Sequence, residues 1–154
     1  MHRNQKKLGE ILIEKGLISD GQLKEVLAEQ RNSKDFLGAI LIKSKRVSES
    51  EVLAALAEQF DMPFTSLKHM YIDWGLVKSF SASLIMDYKC FPVSKQGNVV
   101  TMAITNPLDA WAIKKAEEEA RGDKLKLVLV TQDDLQSAIK RYRQYIQKNT
   151  AHLA

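Results

Sequence analysis

The feature that most constrains the fold is a stretch of sequence that occurs twice. Residues 8–30 read LGEILIEKGLISDGQLKEVLAEQ, and residues 37–59 read LGAILIKSKRVSESEVLAALAEQ. The offset between them is a constant 29 residues, because Gly38 follows Gly9 by that number. Self-similarity at a fixed period indicates one supersecondary unit used twice.

The first copy has the pattern of a helix, a tight turn and a second helix. Leu8 and Leu12 lie on one face of a short helix. Gly16 follows at the position where a left-handed C-terminal cap favours glycine. Ser19 and Gln22 then have the spacing of a capping box, which starts the next helix. The sequence therefore predicts an αα-hairpin.

The second copy repeats this pattern. Residues 37–41 provide the first apolar face, and Ser48 with Glu51 provides the second capping box. Gln30 and Gln59 end the two copies, where an amide either caps a carbonyl or reads the edge of a base. We expect two hairpins of this length to bury their apolar faces against each other as a small helical lobe.

Two glycines stand inside predicted helices at matched positions, Gly9 and Gly38. Glycine in a helix costs about 1 kcal/mol relative to alanine. One interpretation is close helix packing that leaves no room for a side chain, and the other is backbone exposed for a ligand. The copies differ at one turn, where Lys45 replaces the glycine of the first copy. A lysine in the left-handed conformation would carry roughly 1–2 kcal/mol of strain.

The remaining chain alternates between helical and strand patterns. The predicted elements are a helix over 76–88, strands over 90–94 and 99–104, a helix from Asn106–Pro107 to about Arg121, a strand over 125–130, and a last helix capped by Thr131 and Asp134. The order α-β-β-α-β-α predicts a small three-stranded α/β lobe. The predicted fold class is therefore α+β, with a helical lobe over 1–68 and an α/β lobe over 69–154.

The positive charge is concentrated at the C-terminal end. The net charge of the 154-residue chain is +4, and no acidic residue follows Asp134. Lys140, Arg141, Arg143 and Lys148 all lie beyond it. This end could contact phosphate or an acidic partner, or it could be a solvated helix end favoured by the helix dipole. Binding to DNA or RNA is not expected, because such proteins show a broader basic face.

Several classes of chemistry are absent from the sequence. There is no G-x-x-x-x-G-K-[ST] phosphate loop, and the 7 glycines do not cluster. The single cysteine, Cys90, and three scattered histidines do not form a zinc pattern. No window approaches the ~18 apolar residues of a membrane span, and the N-terminus lacks a signal-peptide pattern. We therefore expect a cytoplasmic protein with no catalytic residues, metal, cofactor or membrane insertion.

The doubled pattern L-G-x-x-L…L-x-x-x-L-x-x-Q resembles the N-terminal (MshEN) domain of type II secretion and type IV pilus assembly ATPases. The second half is similar as well, in Phe91–Pro92–Val93, in Met102–Ala103 and in Asn106–Pro107–Leu108–Asp109. The resemblance covers residues 7–145. It implies a regulatory and docking module that couples a motor domain to its membrane platform.

One branch of that family binds the second messenger cyclic di-GMP, with each motif copy holding half of the dinucleotide. The ligand-binding positions that the resemblance implies are Lys7, Leu8, Gly9, Leu12, Gly16, Gln30, Phe36, Leu37, Gly38, Leu41 and Gln59. The chain departs from the family pattern where Lys7 and Phe36 replace an arginine and where Lys45 replaces a glycine. Lysine and phenylalanine cannot reproduce the bidentate fork of arginine.

Two functional hypotheses follow from the resemblance. The first is a non-enzymatic module that binds a protein component of a type II secretion or type IV pilus machine and is recruited to its inner-membrane platform. The second is a sensor that binds cyclic di-GMP across the two motif copies. The sequence leaves open whether the chain acts alone or as part of a longer ATPase.

Overall fold

The computed structural model describes residues 6–151, which divide into two compact units between Met62 and Pro63. The helices described in the first unit are α1 (Leu8–Glu14), α2 (Asp20–Arg31), α3 (Leu37–Lys43) and α4 (Glu49–Phe60). The second unit contains a 3-10 turn (Leu67–His69), α5 (Trp74–Lys78), α6 (Ala82–Met86), β1 (Phe91–Gln96), β2 (Val99–Ile104), α7 (Ala110–Glu119), β3 (Lys124–Leu129) and α8 (Gln132–Ala151). The predicted α+β fold class is confirmed.

Both predicted capping boxes are present in the helical unit. The Ser19 hydroxyl accepts a hydrogen bond from the Gln22 amide at 3.1 Å, and the Gln22 side chain accepts one from the Ser19 amide at 2.9 Å. Ser48 and Glu51 make the same pair of bonds at 3.2 and 3.0 Å. These reciprocal bonds satisfy amides at the helix start that have no partner within the helix.

The two hairpins of the helical unit pack against each other. α1 packs against α4 and α2 packs against α3, so the first helix of each copy meets the second helix of the other. The buried apolar side chains of this unit are Leu8, Ile11, Leu12, Ile18, Val26, Ile40, Leu41, Val47, Val52, Leu53, Ala55 and Leu56. Burial of this surface is the main favourable contribution to the stability of the unit.

The second unit is built on a three-stranded sheet in the order β1-β2-β3. β1 and β2 form an antiparallel hairpin with a bulge between Pro92 and Ser94, and β3 runs parallel to β2. Gly97 adopts a φ of 59° at the hairpin turn, which glycine tolerates without steric cost. Helices α5 and α8 contribute buried side chains to the core of this unit, among them Val77, Leu135 and Ile139.

The segment before the 3-10 turn belongs to the second unit, whereas the sequence placed the lobe boundary after Lys68. The Thr65 amide donates to the Leu129 carbonyl at 2.9 Å, and the Leu129 amide donates to the Pro63 carbonyl at 2.8 Å. Leu67 is buried in the core of the second unit. These bonds extend the sheet beside β3 and join the segment to the unit that follows it.

Two predicted helix bounds are wrong. The predicted helix over 76–88 is interrupted between α5 and α6, because the Ser81 hydroxyl accepts from the Leu84 amide at 3.1 Å and starts a new helix. The helix predicted to start at Asn106–Pro107 begins at Ala110, because Asp109 is the residue that caps it, accepting from the Ala112 amide at 3.0 Å. The predicted strand bounds agree with β1, β2 and β3 to within two residues.

Candidate functional site

The starts of the two motif copies touch each other in the helical unit. An added Cβ at Gly38 would lie 3.6 Å from Leu8 Cδ2, so the Leu8 side chain rests on the first turn of α3. Leu8 and Gly38 are both buried. The fold therefore brings the N-terminal turns of α1 and α3 together, although 29 residues of sequence separate Leu8 from Leu37.

The two matched glycines allow close packing within each hairpin. A Cβ at Gly9 would lie 2.7 Å from Leu23 Cδ1, and a Cβ at Gly38 would lie 2.8 Å from Val52 Cγ1. Carbon atoms prefer a separation of about 3.5–4.0 Å, so neither position has room for a side chain without a shift. The packing interpretation of the glycines thus has direct geometric support.

The predicted site residues differ in their exposure. Lys7, Gly16 and Phe36 are exposed, and Gln30 and Leu37 are partly buried. The buried members are Leu8, Gly9, Leu12, Gly38, Leu41 and Gln59. Leu12 and Leu41 are wholly inaccessible and belong to the core. The accessible members are therefore the ones with surface available to solvent, whereas the buried members are packed inside the unit.

Lys7 and Phe36 occupy equivalent positions at the N-caps of α1 and α3. Their backbone angles are close, with φ −76° and ψ 157° for Lys7 and φ −68° and ψ 150° for Phe36. Phe36 is 45% exposed. The neighbouring Lys6 ammonium lies 2.7 Å from a Glu14 carboxylate oxygen, and this hydrogen bond raises the pKa of Lys6. Within residues 6–151, the Lys7 ammonium forms no ion pair.

The side-chain amides of Gln30 and Gln59 have different surroundings. Gln30 Nε2 donates to the Asp35 carbonyl at 3.4 Å, which supports the backbone just before Phe36. Gln59 is buried with 7% of its surface exposed. Gln30 therefore has a backbone partner, and the Gln59 side chain has little surface exposed.

Arg46 was not among the predicted site residues, although it replaces Leu17 of the first copy. Arg46 Nη2 lies 2.8 Å from Glu25 Oε2 on α2. Among the described residues, Arg46 Nη1 is a buried donor without a hydrogen-bond partner. The sequence difference between the copies at this turn could have indicated Arg46. The difference places a cation where the first copy has an apolar side chain.

A cleft of about 320 Å³ lies wholly within the second unit. Its lining residues are Phe64, Thr65, Ser66, Lys68, Thr131, Asp133, Asp134 and Ser137. The buried Asp134 carboxylate accepts a hydrogen bond from the Leu67 amide at 2.6 Å. Asp134 belongs to the predicted cap of α8, but its bond to Leu67 joins residues 67 positions apart, which no local pattern indicates. The motif residues do not line this cleft.

The exposed face of α8 is basic. Lys140, Arg143 and Lys148 are exposed and form no ion pair among the described residues. The inner side of the helix is anchored by Trp74, whose ring stacks on Tyr145 at a centroid distance of 5.3 Å. The Arg141 guanidinium lies 5.3 Å from the centroid of the same ring, within the range of a cation–π contact.

Residues 6–151 contain neither a candidate metal site nor a helix that could cross a membrane. No group of three or more His, Cys, Asp or Glu side chains lies close enough to hold a metal ion. Each helix in that range is too short or too polar to cross a bilayer.

Comparison with known sequences identifies a matching family model and one related protein. The sequence model of the MshEN domain family matches residues 60–148. The type IV pilus assembly ATPase PilB of Myxococcus xanthus (strain DK1622) is 25% identical over 136 residues, which is 88% of this chain. The chain spans 24% of the length of PilB, so it corresponds to about a quarter of that relative.

Comparison with solved structures extends the similarity to both units. The structure of MshE with cyclic di-GMP superposes with a TM-score of 0.83 and 25% identity, covering 90% of this chain and 99% of the other. The N-terminal domain of XpsE superposes with a TM-score of 0.72 and 21% identity, covering 92% of this chain and 99% of the other. The fold of the helical unit is therefore shared beyond the residues that the family model matches.

Proposed function

This chain belongs to the MshEN domain family, and we propose that it is a regulatory domain whose helical unit binds cyclic di-GMP. The observation that carries the proposal is the contact between Leu8 and Gly38, which joins the starts of the two motif copies into one surface. The likeness to MshE with cyclic di-GMP, which covers 90% of the chain, supports the same ligand.

The proposed mode of binding follows from the repeat. Cyclic di-GMP has two identical halves, and the two copies offer two similarly built surfaces related by the 29-residue offset. We assign direct contact to Lys7, Phe36 and Leu37, since these side chains are at least partly accessible. The buried members of the predicted set, which include Leu12 and Leu41, maintain the spacing of the two helix starts. The proposal gives the chain no catalytic role.

Isothermal titration calorimetry with cyclic di-GMP tests this proposal, with GTP as the control ligand. We expect a Kd of about 1–10 μM, equivalent to roughly 7–8 kcal/mol, with no heat from GTP. The variants K7A and F36A should weaken binding at least about tenfold, since each removes an exposed contact at little cost to the core. No heat at ~100 μM cyclic di-GMP would rule the proposal out.

The matched controls are exposed residues of similar chemistry that lie outside the motif starts. Lys24 on the outer side of α2 is the control for Lys7, and Tyr71, which is 84% exposed, is the control for Phe36. K24A and Y71A should bind cyclic di-GMP like the parent chain. Circular dichroism of every variant separates a lost contact from a lost fold.

A second function, docking onto a protein component of a type II secretion or type IV pilus machine, is favoured by the basic face of α8. Lys140, Arg143 and Lys148 present three unpaired cations on one solvated side of the described helix. Complementary charge would steer an acidic partner to this face. The chain would then act in the cytoplasm, at the inner-membrane platform of the machine.

The docking function is tested by binding to the purified platform proteins of such a machine. Reversal of charge in K140E/R143E/K148E should lower the affinity at least about tenfold, and added salt should weaken binding by the parent chain. A triple variant on the outer side of the helical unit, K24E/R31E/K34E, serves as the matched control because these residues are also exposed. Equal binding by both triple variants would exclude α8 as the docking face.

A further inference from the structure

We infer that the two halves of the proposed site read their bases differently, so that the chain accepts a cyclic dinucleotide with guanine in one half and either purine in the other. This inference rests on the proposed function, because it concerns the choice of ligand at the same site. Its basis is the difference between two side chains at equivalent positions, Lys7 and Phe36.

The equivalence of the two positions is structural. Both residues are N-caps in an extended conformation, and their φ and ψ angles differ by less than 10°. Both immediately precede a Leu-Gly pair, and these pairs meet through Leu8 and Gly38. Two side chains that leave equivalent backbones should therefore approach equivalent parts of a ligand with two similar halves.

Lys7 selects guanine in the first half. An ammonium group only donates hydrogen bonds, and guanine presents two adjacent acceptors, O6 and N7. Adenine replaces O6 with an amino group that also donates, so one of the two acceptors for the ammonium is lost. Lys7 is available for this contact because, in residues 6–151, it forms no ion pair, whereas Lys6 is held by Glu14.

Phe36 accepts either purine in the second half. Its ring is 45% exposed and carries no group that could form a hydrogen bond with a base edge. Stacking on an aromatic ring tolerates any base, because every base has a π-face. The nearby Gln30 side chain is bonded to the Asp35 carbonyl, next to Phe36, so it holds the backbone of this half. The second half therefore provides affinity without discrimination between guanine and adenine.

The test compares three cyclic dinucleotides by calorimetry on the full chain: cyclic di-GMP, the 3′,3′-linked mixed guanine–adenine compound, and cyclic di-AMP. We expect the first two to bind with Kd values within about threefold of each other. Cyclic di-AMP should bind at least about tenfold more weakly, a difference of about 1.4 kcal/mol. It has no guanine to place opposite Lys7.

Two variants, each carrying the residue of the other copy, provide a more specific test. F36K gives both halves an ammonium, so cyclic di-GMP should then be preferred over the mixed compound by about tenfold or more. K7F gives both halves an aromatic ring, so the three ligands should bind within about threefold of each other. Both positions are exposed, and circular dichroism verifies the fold of each variant.

The outcomes separate this inference from the proposed function. Failure of all three ligands to bind at ~100 μM would overturn the proposed function itself. Binding of cyclic di-GMP with a mixed compound at least about tenfold weaker would overturn the inference and leave the proposed function standing. Equal binding of all three ligands by the parent chain would also overturn it, since Lys7 would then contact the phosphates instead of a base.

Discussion

The matched glycines of the two copies should respond differently to the same substitution. In G38A the new Cβ would lie 2.8 Å from Val52 Cγ1, about 0.6 Å closer than ordinary contact. Val52 is 3% exposed and cannot rotate away, because its β-branched side chain has one preferred rotamer in a helix. Overpacking of this kind costs about 1–3 kcal/mol, and the helix gains up to about 1 kcal/mol from alanine. We expect a net loss of about 1–2 kcal/mol.

G9A is the internal control for this prediction. Its new Cβ would lie 2.7 Å and 2.9 Å from the two terminal methyl groups of Leu23. Leu23 is only partly buried, and its methyl groups lie at the end of a flexible side chain that can turn toward solvent. The gain in helix propensity then offsets the contact, so G9A should leave the free energy of unfolding unchanged or raise it by up to about 1 kcal/mol.

Urea denaturation followed by circular dichroism measures both variants. For a chain of this length, G38A should also lower the melting temperature by about 2–8 °C. The double variant G38A/V52A should show a favourable coupling energy of about 1–3 kcal/mol in a double-mutant cycle, because the smaller residue 52 removes the contact. If G38A proved as stable as G9A, the account of the Val52 contact would be refuted.

Three further predictions concern stability and reactivity. K45G should raise the free energy of unfolding by about 1 kcal/mol in urea denaturation, because Lys45 has a φ of 60°, and G16K should lower it by a similar amount. D134A should lower it by about 1.5–3 kcal/mol, because the buried Leu67 amide loses its acceptor at 2.6 Å, and unchanged stability would contradict that assignment. Burial raises the pKa of Cys90 from 9.0 to about 12. Stability should therefore fall as the pH rises from about 9 to 12, because the unfolded thiol ionises first, and C90A should reduce this pH dependence. Mass spectrometry should detect alkylation of Cys90 in urea far sooner than in the folded chain.

The features that could be predicted from the sequence are those set by residues close together in the chain. The two capping boxes, the left-handed Gly16 and the Gly97 hairpin turn each depend on a few adjacent residues, and the structure contains all of them. The repeat added the expectation that whatever holds for one copy holds for the other. Local sequence signals repeated at a fixed period were therefore enough to predict the helices of the helical unit.

The errors arose where two local signals competed or where a distant segment decided the outcome. Asn106 and Asp109 can both cap a helix, and Asn106 instead accepts from the Leu108 amide at 2.9 Å to form a turn. Ser81 interrupts an otherwise helical apolar pattern, and its hydroxyl also donates to Glu119 at 2.7 Å, 38 residues away. A pattern of adjacent residues carries no information about such long-range partners.

The candidate site could be predicted only in part, for the same reason. The motif identified which residues correspond between the copies, but not which of them are exposed. Leu12 and Leu41 prove to be core, whereas Lys7 and Phe36 are accessible. The contact of Leu8 with Gly38 joins the two copies, and it depends on packing that no local pattern encodes.

The pattern of differences between the copies supports the proposal that the two halves of the site are unequal. Buried matched positions keep their chemistry, as in Gly9 with Gly38 and Leu12 with Leu41, because a change there alters the packing directly. The exposed residues before the two Leu-Gly pairs differ, with a cation at Lys7 and an aromatic ring at Phe36. A surface substitution usually changes stability by less than about 0.5 kcal/mol. Positions that can vary at so small a folding cost are the ones at which ligand choice can change independently of the fold. The asymmetry at Lys7 and Phe36 is therefore more informative about the ligand than the symmetry that surrounds it.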